Sequence, residues 1–352
     1  MVGAGSVIPW GPAVPPRWCG RRADGPRRNG ERTMRAVGIE RFGGTPQLMQ
    51  LPVPEPGSGR LQVAIETAAV NPLDRAIASG SLAGLGEYRF PLALGMDGAG
   101  TVIAVGDGVT RFRVGDRVFG QFWSRPLQFG TFAEVSVVQE TPAFGALAAV
   151  PDELPSREAA ALPTSGMTAL GAIDHARVPE GGTVFVIGAT GGVGTFVVQA
   201  AAARGIRVIA TAPARLAEQV RGLGATEIVV PGAQPFGQAL RGPAPEGVDA
   251  VLDLVGDRSL IGGVAGAVRD GGALISTAFG LDEQFLADER IRTMNYRLDR
   301  KPARLTELTG LVTAGTIRPV IGTDLPLEEA PRALAGGVGA TGLRGKTVLH
   351  VR

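Results

Sequence analysis

Four glycines within seven residues, set between apolar runs, carry the clearest chemical meaning in this sequence. They lie in residues 188–194, which read Gly-Ala-Thr-Gly-Gly-Val-Gly. A glycine turn that opens a helix exposes backbone N–H groups and the positive end of the helix dipole to a phosphate. Gly191 and Gly192 have no side chain to block a pyrophosphate, and Gly194 lets the helix pack closely on the preceding strand. The turn therefore predicts a dinucleotide site.

The elements that must position this turn can also be read from the sequence. Residues 184–187 are apolar and mostly β-branched, which predicts a strand buried on both faces. The alanine-rich residues 196–203 predict a helix, and residues 208–210 predict a second strand. Strand, turn, helix and strand form a βαβ unit, the context in which such glycines indicate a nucleotide. The alternative is a βαβ turn with a structural role only.

The end of the second predicted strand distinguishes the two nicotinamide cofactors. NAD-binding units usually carry an acidic residue about 20 residues after the glycines, where it accepts hydrogen bonds from the ribose hydroxyls. Here the strand ends at Thr211, and the first acidic residue beyond it is Glu218, inside the next predicted helix. Arg215 follows three small residues and could bind the 2′-phosphate that a carboxylate would repel. This pattern favours NADPH, unless Arg215 is a solvated residue in the first turn of a helix.

Length and composition set the limits of the interpretation. The 352 residues, 44% of them apolar, predict two domains with full cores, and no apolar run is long enough to span a membrane. A net charge of +2 gives no reason to expect a nucleic-acid partner. One cysteine, Cys19, and two histidines, His175 and His350, cannot supply the ligands of a typical zinc site.

The first 33 residues differ in composition from the rest. They contain six glycines, five prolines and six arginines but only two acidic residues, and they lack a sustained apolar period. We therefore predict a disordered basic extension before Met34. Proline and glycine interrupt residues 2–14, so the segment does not resemble a signal peptide, and we expect a cytoplasmic protein.

From Met34 onward the pattern predicts an α/β protein with two kinds of domain. Short strands separated by Gly-Asp turns predict a barrel-like β domain in the first part of the chain. Helices and strands alternate from the glycine turn onward, which predicts a doubly wound parallel sheet. The apolar residues 346–351 predict a last strand that returns to the β domain. The cleft between the two domains is the expected site.

From Met34 to Arg352 the chain resembles the zinc-independent quinone oxidoreductases, the zeta-crystallin-like branch of the medium-chain dehydrogenase/reductase superfamily. The matching motifs are Asn71-Pro-Leu-Asp-Arg75, Leu94-Gly-Met-Asp-Gly-Ala-Gly100, Arg113-Val-Gly-Asp-Arg-Val118, Gly130-Thr-Phe-Ala-Glu134, Ala160-Ala-Leu-Pro-Thr164, Gly166-Met-Thr-Ala-Leu170, Ala189-Thr-Gly-Gly-Val-Gly194, Asp253-Leu-Val-Gly256 and Gly345-Lys-Thr-Val-Leu349. The resemblance implies a GroES-like β-barrel catalytic domain, residues 34–157 and 285–352. It also implies that a Rossmann NADP-binding domain, residues 158–284, is inserted into it, and that the protein is a homodimer.

Two departures from related sequences affect the expected chemistry. Zinc alcohol dehydrogenases carry a His-Glu pair where this chain has Met96-Asp97, and their cysteine ligands are also missing here, which favours hydride transfer without metal. The quinone oxidoreductase branch normally has glutamate at the position of Asp97. Its tyrosine after the Asn-x-x-Asp motif has no equivalent in residues 76–82, and Tyr88 is the nearest tyrosine.

The resemblance also assigns roles to individual residues. Asn71 and Asp74 are the catalytic candidates, with Asn71 facing the substrate carbonyl as a hydrogen-bond donor; the alternative for Asn71 is a helix cap before Pro72. Further residues are candidates for binding the pyrophosphate, the 2′-phosphate or the nicotinamide of the cofactor. They are Thr168, Ala189, Thr190, Gly191, Gly192, Val193, Gly194, Thr211, Arg215, Val255, Gly256, Thr277 and Phe279. Phe122 and Trp123 are candidates either for an apolar pocket or for core packing.

The expected activity is NADPH-dependent reduction of a quinone or an α,β-unsaturated carbonyl, without a metal ion. One alternative is an enoyl reductase that acts on a carrier-bound acyl chain. Another is a protein that binds NADPH without catalysis, because a fold does not guarantee chemistry.

Overall fold

The structure is a computed structural model. It describes residues 27–28, 31–336 and 342–352, without the side chains of residues 27, 28, 31 and 85. Most of the predicted disordered extension, residues 1–26 and 29–30, lies outside the described residues. Its last part is a strand, because Glu31–Ile39 pairs with a neighbouring strand and Thr33 lies opposite Pro52. The strand therefore starts before Met34, where we expected the folded chain to begin.

The described strands are numbered along the chain. They are β1 (Arg27–Arg28), β2 (Glu31–Ile39), β3 (Gln47–Pro52), β4 (Arg60–Val70), β5 (Tyr88–Ala93), β6 (Asp97–Val105), β7 (Arg117–Gln121), β8 (Leu127–Phe129), β9 (Val135–Gln139), β10 (Leu147–Ala149), β11 (Thr183–Ile187), β12 (Arg207–Thr211), β13 (Glu227–Val229), β14 (Val248–Asp253), β15 (Val268–Ser276), β16 (Arg292–Asn295), β17 (Ile321–Pro326) and β18 (Lys346–His350).

The described helices are numbered in the same way. They are α1 (Pro72–Ser79), α2 (Ser156–Ala161), α3 (Pro163–Ala176), α4 (Gly192–Ala203), α5 (Ala217–Arg221), α6 (Phe236–Ala239), α7 (Arg258–Ala265), α8 (Glu283–Leu286), α9 (Pro302–Thr313) and α10 (Ala330–Leu334). Within the described part of the chain, no helix combines the length and the apolar composition that crossing a membrane requires.

The β-rich part is built from two sheets. The larger sheet has the order β10-β7-β6-β4-β18-β17, with β9 also paired to β4. The smaller sheet has the order β1-β2-β5-β8, with β3 paired to β2. The last strand, β18, pairs antiparallel with β4 and places Val348 opposite Ala69. The prediction that the C-terminus returns to the β domain is therefore confirmed.

The second part is a six-stranded sheet with the order β13-β12-β11-β14-β15-β16, and all of its pairings are parallel. β11 is buried along its whole length, as expected for a strand covered by helices on both faces. The strand order reverses between β11 and β14, and ligands of such sheets bind in the crevice at the carboxyl ends of these strands. The predicted α/β fold, with a Rossmann sheet inserted into a GroES-like domain, is confirmed.

One strand of this sheet was not predicted from the sequence. β16 pairs with β15 and places Met294 opposite Ile275, although its own side chains are exposed or half-buried. An edge strand of four residues with this polarity has no apolar run by which a sequence pattern could detect it. The Rossmann sheet therefore extends beyond residue 284, where we ended this domain, and the other domain boundaries stay predictions.

A common apolar core joins the two parts. Its buried members include Phe119 of β7, Leu170 of α3, Val186 of β11 and Val348 of β18. Because α3 packs against both the Rossmann sheet and β7, the two parts are held in a fixed relation. The residues at their junction can therefore form one preorganised site.

Candidate active site

The predicted glycine turn lies at the carboxyl end of β11, where α4 begins. Gly191 is the N-cap of α4 with φ −84° and ψ 177°, and the helix starts at Gly192. A Cβ atom built on Gly191 would meet no atom closer than Gly188 O, at 3.5 Å. The turn is thus open on this side, and the N-terminus of α4 faces the space in which a phosphate would bind.

Gly194 has a different role from Gly191. A Cβ atom at this position would lie 2.2 Å from Gly188 O and 2.7 Å from Ala189 Cα. Only glycine therefore allows α4 to approach the strand–turn junction this closely. Ala189, which replaces the first glycine of the usual pattern, is fully buried, while Thr190 and Val193 are half-buried at the turn.

Thr211 fixes the turn from the neighbouring strand. Its hydroxyl Oγ1 accepts a hydrogen bond of 2.9 Å from the backbone N–H of Gly188. Arg215 lies four residues further on, in the 3-10 helix Ala214–Leu216, and is exposed. Glu218 is exposed and pairs with Arg221, so it does not replace the missing acidic residue at the end of β12.

A buried aspartate organises the two loops that were predicted to flank the nicotinamide. Asp253 Oδ1 accepts hydrogen bonds from the backbone N–H groups of Val255 and Gly256, each 3.1 Å long. Asp253 Oδ2 accepts a 2.6 Å bond from Ser276 Oγ, which in turn accepts from the N–H of Gly280. The network holds the ends of β14 and β15 together. Asp253 belongs to one of the motifs that carry the resemblance, but its role was not predicted from the sequence.

These loops present apolar surface beside the turn. Val255 is 51% exposed and Phe279 is 53% exposed, and Phe279 has the left-handed φ of 60°. The N–H of Thr277 donates to the backbone oxygen of Asp253, while Thr168 is buried and donates to the backbone oxygen of Thr164. The predicted nicotinamide-flanking residues are therefore spread over α3 and the two loops.

The catalytic candidate Asn71 caps the N-terminus of α1 and is almost fully buried, 2% exposed. Its side-chain Nδ2 donates to Asp97 Oδ2 at 3.0 Å and to the backbone oxygen of Ala69 at 3.3 Å. Both amide N–H donors thus have protein acceptors, and none remains for a substrate carbonyl. The geometry favours the cap and a positioning role, and a direct catalytic role for Asn71 stays a prediction.

Asp97 connects Asn71 to the N-terminus of α3. Its Oδ1 accepts from Thr164 Oγ1 at 2.7 Å, and its Oδ2 accepts from the Thr164 backbone N–H at 3.0 Å. Burial raises the pKa of Asp97, against the lowering effects of Lys346 and of the hydrogen bonds from Thr164 and Asn71. Gln121 Nε2 donates to Thr164 Oγ1, whereas Gln121 Oε1 is buried with no hydrogen-bond partner among the described residues.

Lys346 enters the same cluster from β18. Its Nζ donates to Asn71 Oδ1 at 2.5 Å and to the backbone oxygen of Val70 at 3.0 Å, and the residue is 3% exposed. Burial lowers the pKa of Lys346, while the carboxyl groups of Asp97 and Asp74 raise it. A Cβ atom on Gly192 would lie 2.9 Å from Lys346 Cδ, so the side chain of this lysine packs directly against the glycine turn.

The backbone joins the two domains at the same point. Gly345 and Gly191 form a parallel β-bridge, and the N–H of Gly345 donates to the backbone oxygen of Thr190 at 3.0 Å. A cavity of about 170 Å³ opens beside Asn71 and Gly345, with the exposed side chains of Arg75 and Arg344 in its wall. The predicted cofactor turn therefore lies next to the catalytic candidates.

The other catalytic candidate, Asp74, is fully buried and accepts a 2.7 Å hydrogen bond from the backbone N–H of Asn71. Burial raises the pKa of Asp74 to about 7, with a further increase from Asp97 and opposing effects from the Asn71 N–H and Lys346. The group is therefore positioned inside the protein as a cap for α1, and its direct part in catalysis stays a prediction.

The raised pKa of Asp74 predicts a pH dependence of stability. Between pH about 4 and about 7 the unfolded chain loses a proton that the folded chain keeps, so the free energy of unfolding falls as pH rises and levels off above about 7. We expect Asp74→Asn to reduce this slope in denaturant titrations, although Asp97 contributes in the same direction. An exposed aspartate variant, Asp152→Asn, is the control. An unchanged slope in Asp74→Asn would contradict the assignment.

Among the described residues, no group of three or more histidine, cysteine, aspartate and glutamate side chains is arranged to hold a metal ion.

The hydroxyl groups of the two tyrosines both donate hydrogen bonds within the protein. Tyr88 donates to the backbone oxygen of Leu82, and Tyr296 donates to Asp299 Oδ1. Burial raises the pKa of Tyr88, and it raises that of Tyr296 to about 12.

Comparison with known proteins identifies the family. Residues 57–150 match the "Alcohol dehydrogenase GroES-like domain" family, and residues 223–349 match the "Zinc-binding dehydrogenase" family. The chain is 32% identical over 307 residues to the chloroplast envelope quinone oxidoreductase homolog of Arabidopsis thaliana, covering 82% of this chain and 89% of that protein. The chain belongs to the quinone oxidoreductase branch of the medium-chain dehydrogenase/reductase superfamily.

Solved structures agree with this membership of the quinone oxidoreductase branch. The quinone oxidoreductase from Coxiella burnetii superimposes with a TM-score of 0.80 at 27% identity, covering 91% of this chain and all (100%) of that one. A mycobacterial protein solved in complex with NADPH superimposes with a TM-score of 0.76 at 28% identity, covering 90% of this chain and 100% of that one. As a member of the quinone oxidoreductase branch, the chain is an oxidoreductase with a site for a nicotinamide cofactor.

Proposed function

We propose that this protein is an NADPH-dependent reductase that transfers hydride to a quinone or an α,β-unsaturated carbonyl without a metal ion. The observation that carries the proposal is the junction of Thr190 and Gly191 with Gly345 and Lys346, which brings the open glycine turn onto the buried cluster around Asn71. A cofactor on this turn would have its reactive end between the loops at the ends of β14 and β15 and the catalytic domain.

The glycine turn fits a pyrophosphate because the Gly191 side is open while Gly194 is packed against the strand. In the proposed complex, residues 190–194 bind the pyrophosphate and Arg215 binds the 2′-phosphate. Thr168, Val255, Gly256, Thr277 and Phe279 flank the nicotinamide. The cofactor supplies the hydride when it is bound.

The residues of the protein position the reactants and leave protonation to solvent. Asp97 and Lys346 hold Asn71 and the N-termini of α1 and α3 in place, so the site is preorganised before substrate binds. Gln121 Oε1 offers one buried acceptor for a ligand donor. Because both tyrosine hydroxyls are engaged elsewhere, water is the proposed proton source. A homodimeric assembly, which the resemblance implies, and a cytoplasmic location are part of the proposal.

The direct test is steady-state oxidation of NADPH and of NADH against a panel of quinones and enones. We expect turnover with several acceptors and a higher kcat/KM for NADPH. Equal efficiency with NADH would overturn the cofactor assignment, and no turnover with any acceptor would favour a protein that only binds NADPH.

A second prediction concerns the proposed 2′-phosphate contact. Arg215→Ala is expected to raise the KM for NADPH roughly tenfold, the lower part of the range for charge-assisted hydrogen bonds at an exposed site, and to leave the KM for NADH unchanged. Arg221→Ala removes an exposed arginine of the adjacent helix and is the matched control. An equal loss with both cofactors would exclude a specific role for Arg215.

A further inference from the structure

Two arginines lie beside aromatic side chains that belong to the two sides of the proposed site. Arg297 and Arg300 lie on the segment between β16 and α9, Arg297 exposed and Arg300 half-buried. The Arg300 Cζ atom lies 5.9 Å from the ring centroid of Trp123, which belongs to the β-rich part. The Arg297 Cζ atom lies 5.9 Å from the ring centroid of Phe279, on the loop proposed to flank the nicotinamide.

Neither guanidinium makes a hydrogen bond or an ion pair with the part of the chain that the structure describes. The acidic groups around Arg300 are engaged with other partners. Asp299 accepts from Arg304 and Tyr296, and Asp97 accepts from Thr164 and Asn71. The N–H donors of Arg300 therefore have no acceptor among the described residues, and the acceptor oxygens of a ligand can pair with them.

The electrostatics of the pair point to an anion. Burial lowers the pKa of Arg300 and the neighbouring charge of Arg297 lowers it further, while Asp97 opposes both. The two like charges repel each other, and an anion between them would relieve the repulsion and satisfy the free donors. Planar guanidinium groups suit the oxygens of a carboxylate or a phosphate, with which they form paired hydrogen bonds.

We propose that Arg300, assisted by Arg297, forms a subsite for an anionic group of the substrate. The preferred acceptor is then an enone or quinone that carries a carboxylate or a phosphate at the end remote from the reacting double bond. Trp123 and Phe279 provide the apolar walls between which the ring or chain of the acceptor lies. The inference rests on the proposed function, since it assigns the substrate class of the same site.

The test uses the full chain and three matched acceptors: para-carboxybenzylideneacetone, its methyl ester and the corresponding para-phosphate. We expect kcat/KM for the carboxylate or the phosphate to exceed that for the ester by roughly 10- to 100-fold, the range for hydrogen bonds to charged groups. The anion with the higher kcat/KM shows whether the subsite prefers a carboxylate or a phosphate. Equal values for the ester and both anions would overturn the subsite.

Variants locate the effect. Arg300→Gln is expected to raise the KM of the two anions to that of the ester, while the Kd for NADPH stays unchanged. Arg300→Lys should retain part of the preference for the anions. Arg113→Gln, at a side chain that is 90% exposed in the β-rich part, is the control for overall charge. A parallel loss of NADPH affinity in Arg300→Gln would show that the anion is a cofactor phosphate and would overturn the proposal.

A binding measurement separates this inference from the proposed function. Calorimetric titration of the NADP⁺ complex with the three acceptors requires no turnover. If no acceptor is reduced but the anions bind more tightly than the ester, the proposed function fails and the anionic subsite stands. If the acceptors are reduced but bind equally, the subsite fails and the proposed function stands.

Discussion

Lys346→Met is expected to lower the free energy of unfolding by about 3–5 kcal/mol, the cost of leaving buried charges without their partner. Two buried carboxyl groups, Asp97 and Asp74, would lose the cation that faces them, and Asn71 Oδ1 and the Val70 carbonyl would lose their shared donor. Because the Nζ of Lys346 also holds Asn71 next to the glycine turn, the affinity for NADPH should fall as well. Chemical denaturation and fluorescence titration measure the two effects.

The chain contains a matched control for this variant, since its other lysine, Lys301, is exposed and pairs with Asp299 at the surface. Lys301→Met should change the free energy of unfolding by less than about 1 kcal/mol. Adding Asp97→Asn to Lys346→Met should restore part of the lost stability, because it removes one uncompensated carboxylate. A Lys346→Met protein as stable as the Lys301→Met protein would contradict the role assigned to the buried cluster.

Gly194→Ala is expected to have the second large effect, a loss of about 3 kcal/mol in stability together with loss of NADPH binding. The added Cβ would meet the backbone oxygen of Gly188 at 2.2 Å, and backbone atoms at this junction cannot move aside without separating α4 from β11. Thermal unfolding and NADPH titration of the variant measure both quantities.

Two other glycines provide controls. Gly191→Ala has space for its Cβ, so it should keep the unfolding temperature of the wild type yet bind NADPH poorly, because the methyl group occupies the approach of the pyrophosphate. Gly310→Ala, inside α9 with no atom within 4 Å of the new Cβ, should stabilise the protein by about 0.5–1 kcal/mol. A Gly194→Ala protein with normal stability and affinity would contradict the packing argument.

The βαβ unit and its glycine turn could be predicted because their signals are local. The apolar run of β11, the alanine-rich α4 and the glycines between them all lie within one short segment, and each element agrees with its neighbours. The return of β18 to the β domain could be predicted for a similar reason, since an apolar run so far from the parallel sheet has few other partners.

The buried cluster could not be assembled from the sequence in this way. Asn71 is 26 residues from Asp97 and 275 residues from Lys346, and only the folded topology brings them together. The motifs containing these residues were visible, but nothing in their spacing indicated that Asn71 uses its amide donors within the protein. Asp97 has a shorter side chain than the glutamate that the family normally carries. Its role could likewise not be predicted until its contact with Thr164 at the start of α3 was known.

β16 and the arginines beyond it were missed for another reason. An exposed edge strand lacks the periodic burial that sequence patterns detect, and the sequence pattern therefore predicted neither β16 nor a role for the segment between β16 and α9. Arg300 lies over Trp123 because the two domains pack against each other. Such long-range packing cannot be predicted from a single charged residue in the sequence.

The most direct test of hydride transfer without metal uses NADPH in which both hydrogens at the nicotinamide C4 are deuterium. The chelator-treated protein is incubated with an enone that it reduces, and the product is analysed by mass spectrometry and NMR. We expect one deuterium at the β-carbon of the saturated product and activity that does not change on chelation. A product without deuterium, or activity that disappears with the chelator and returns with zinc, would contradict it.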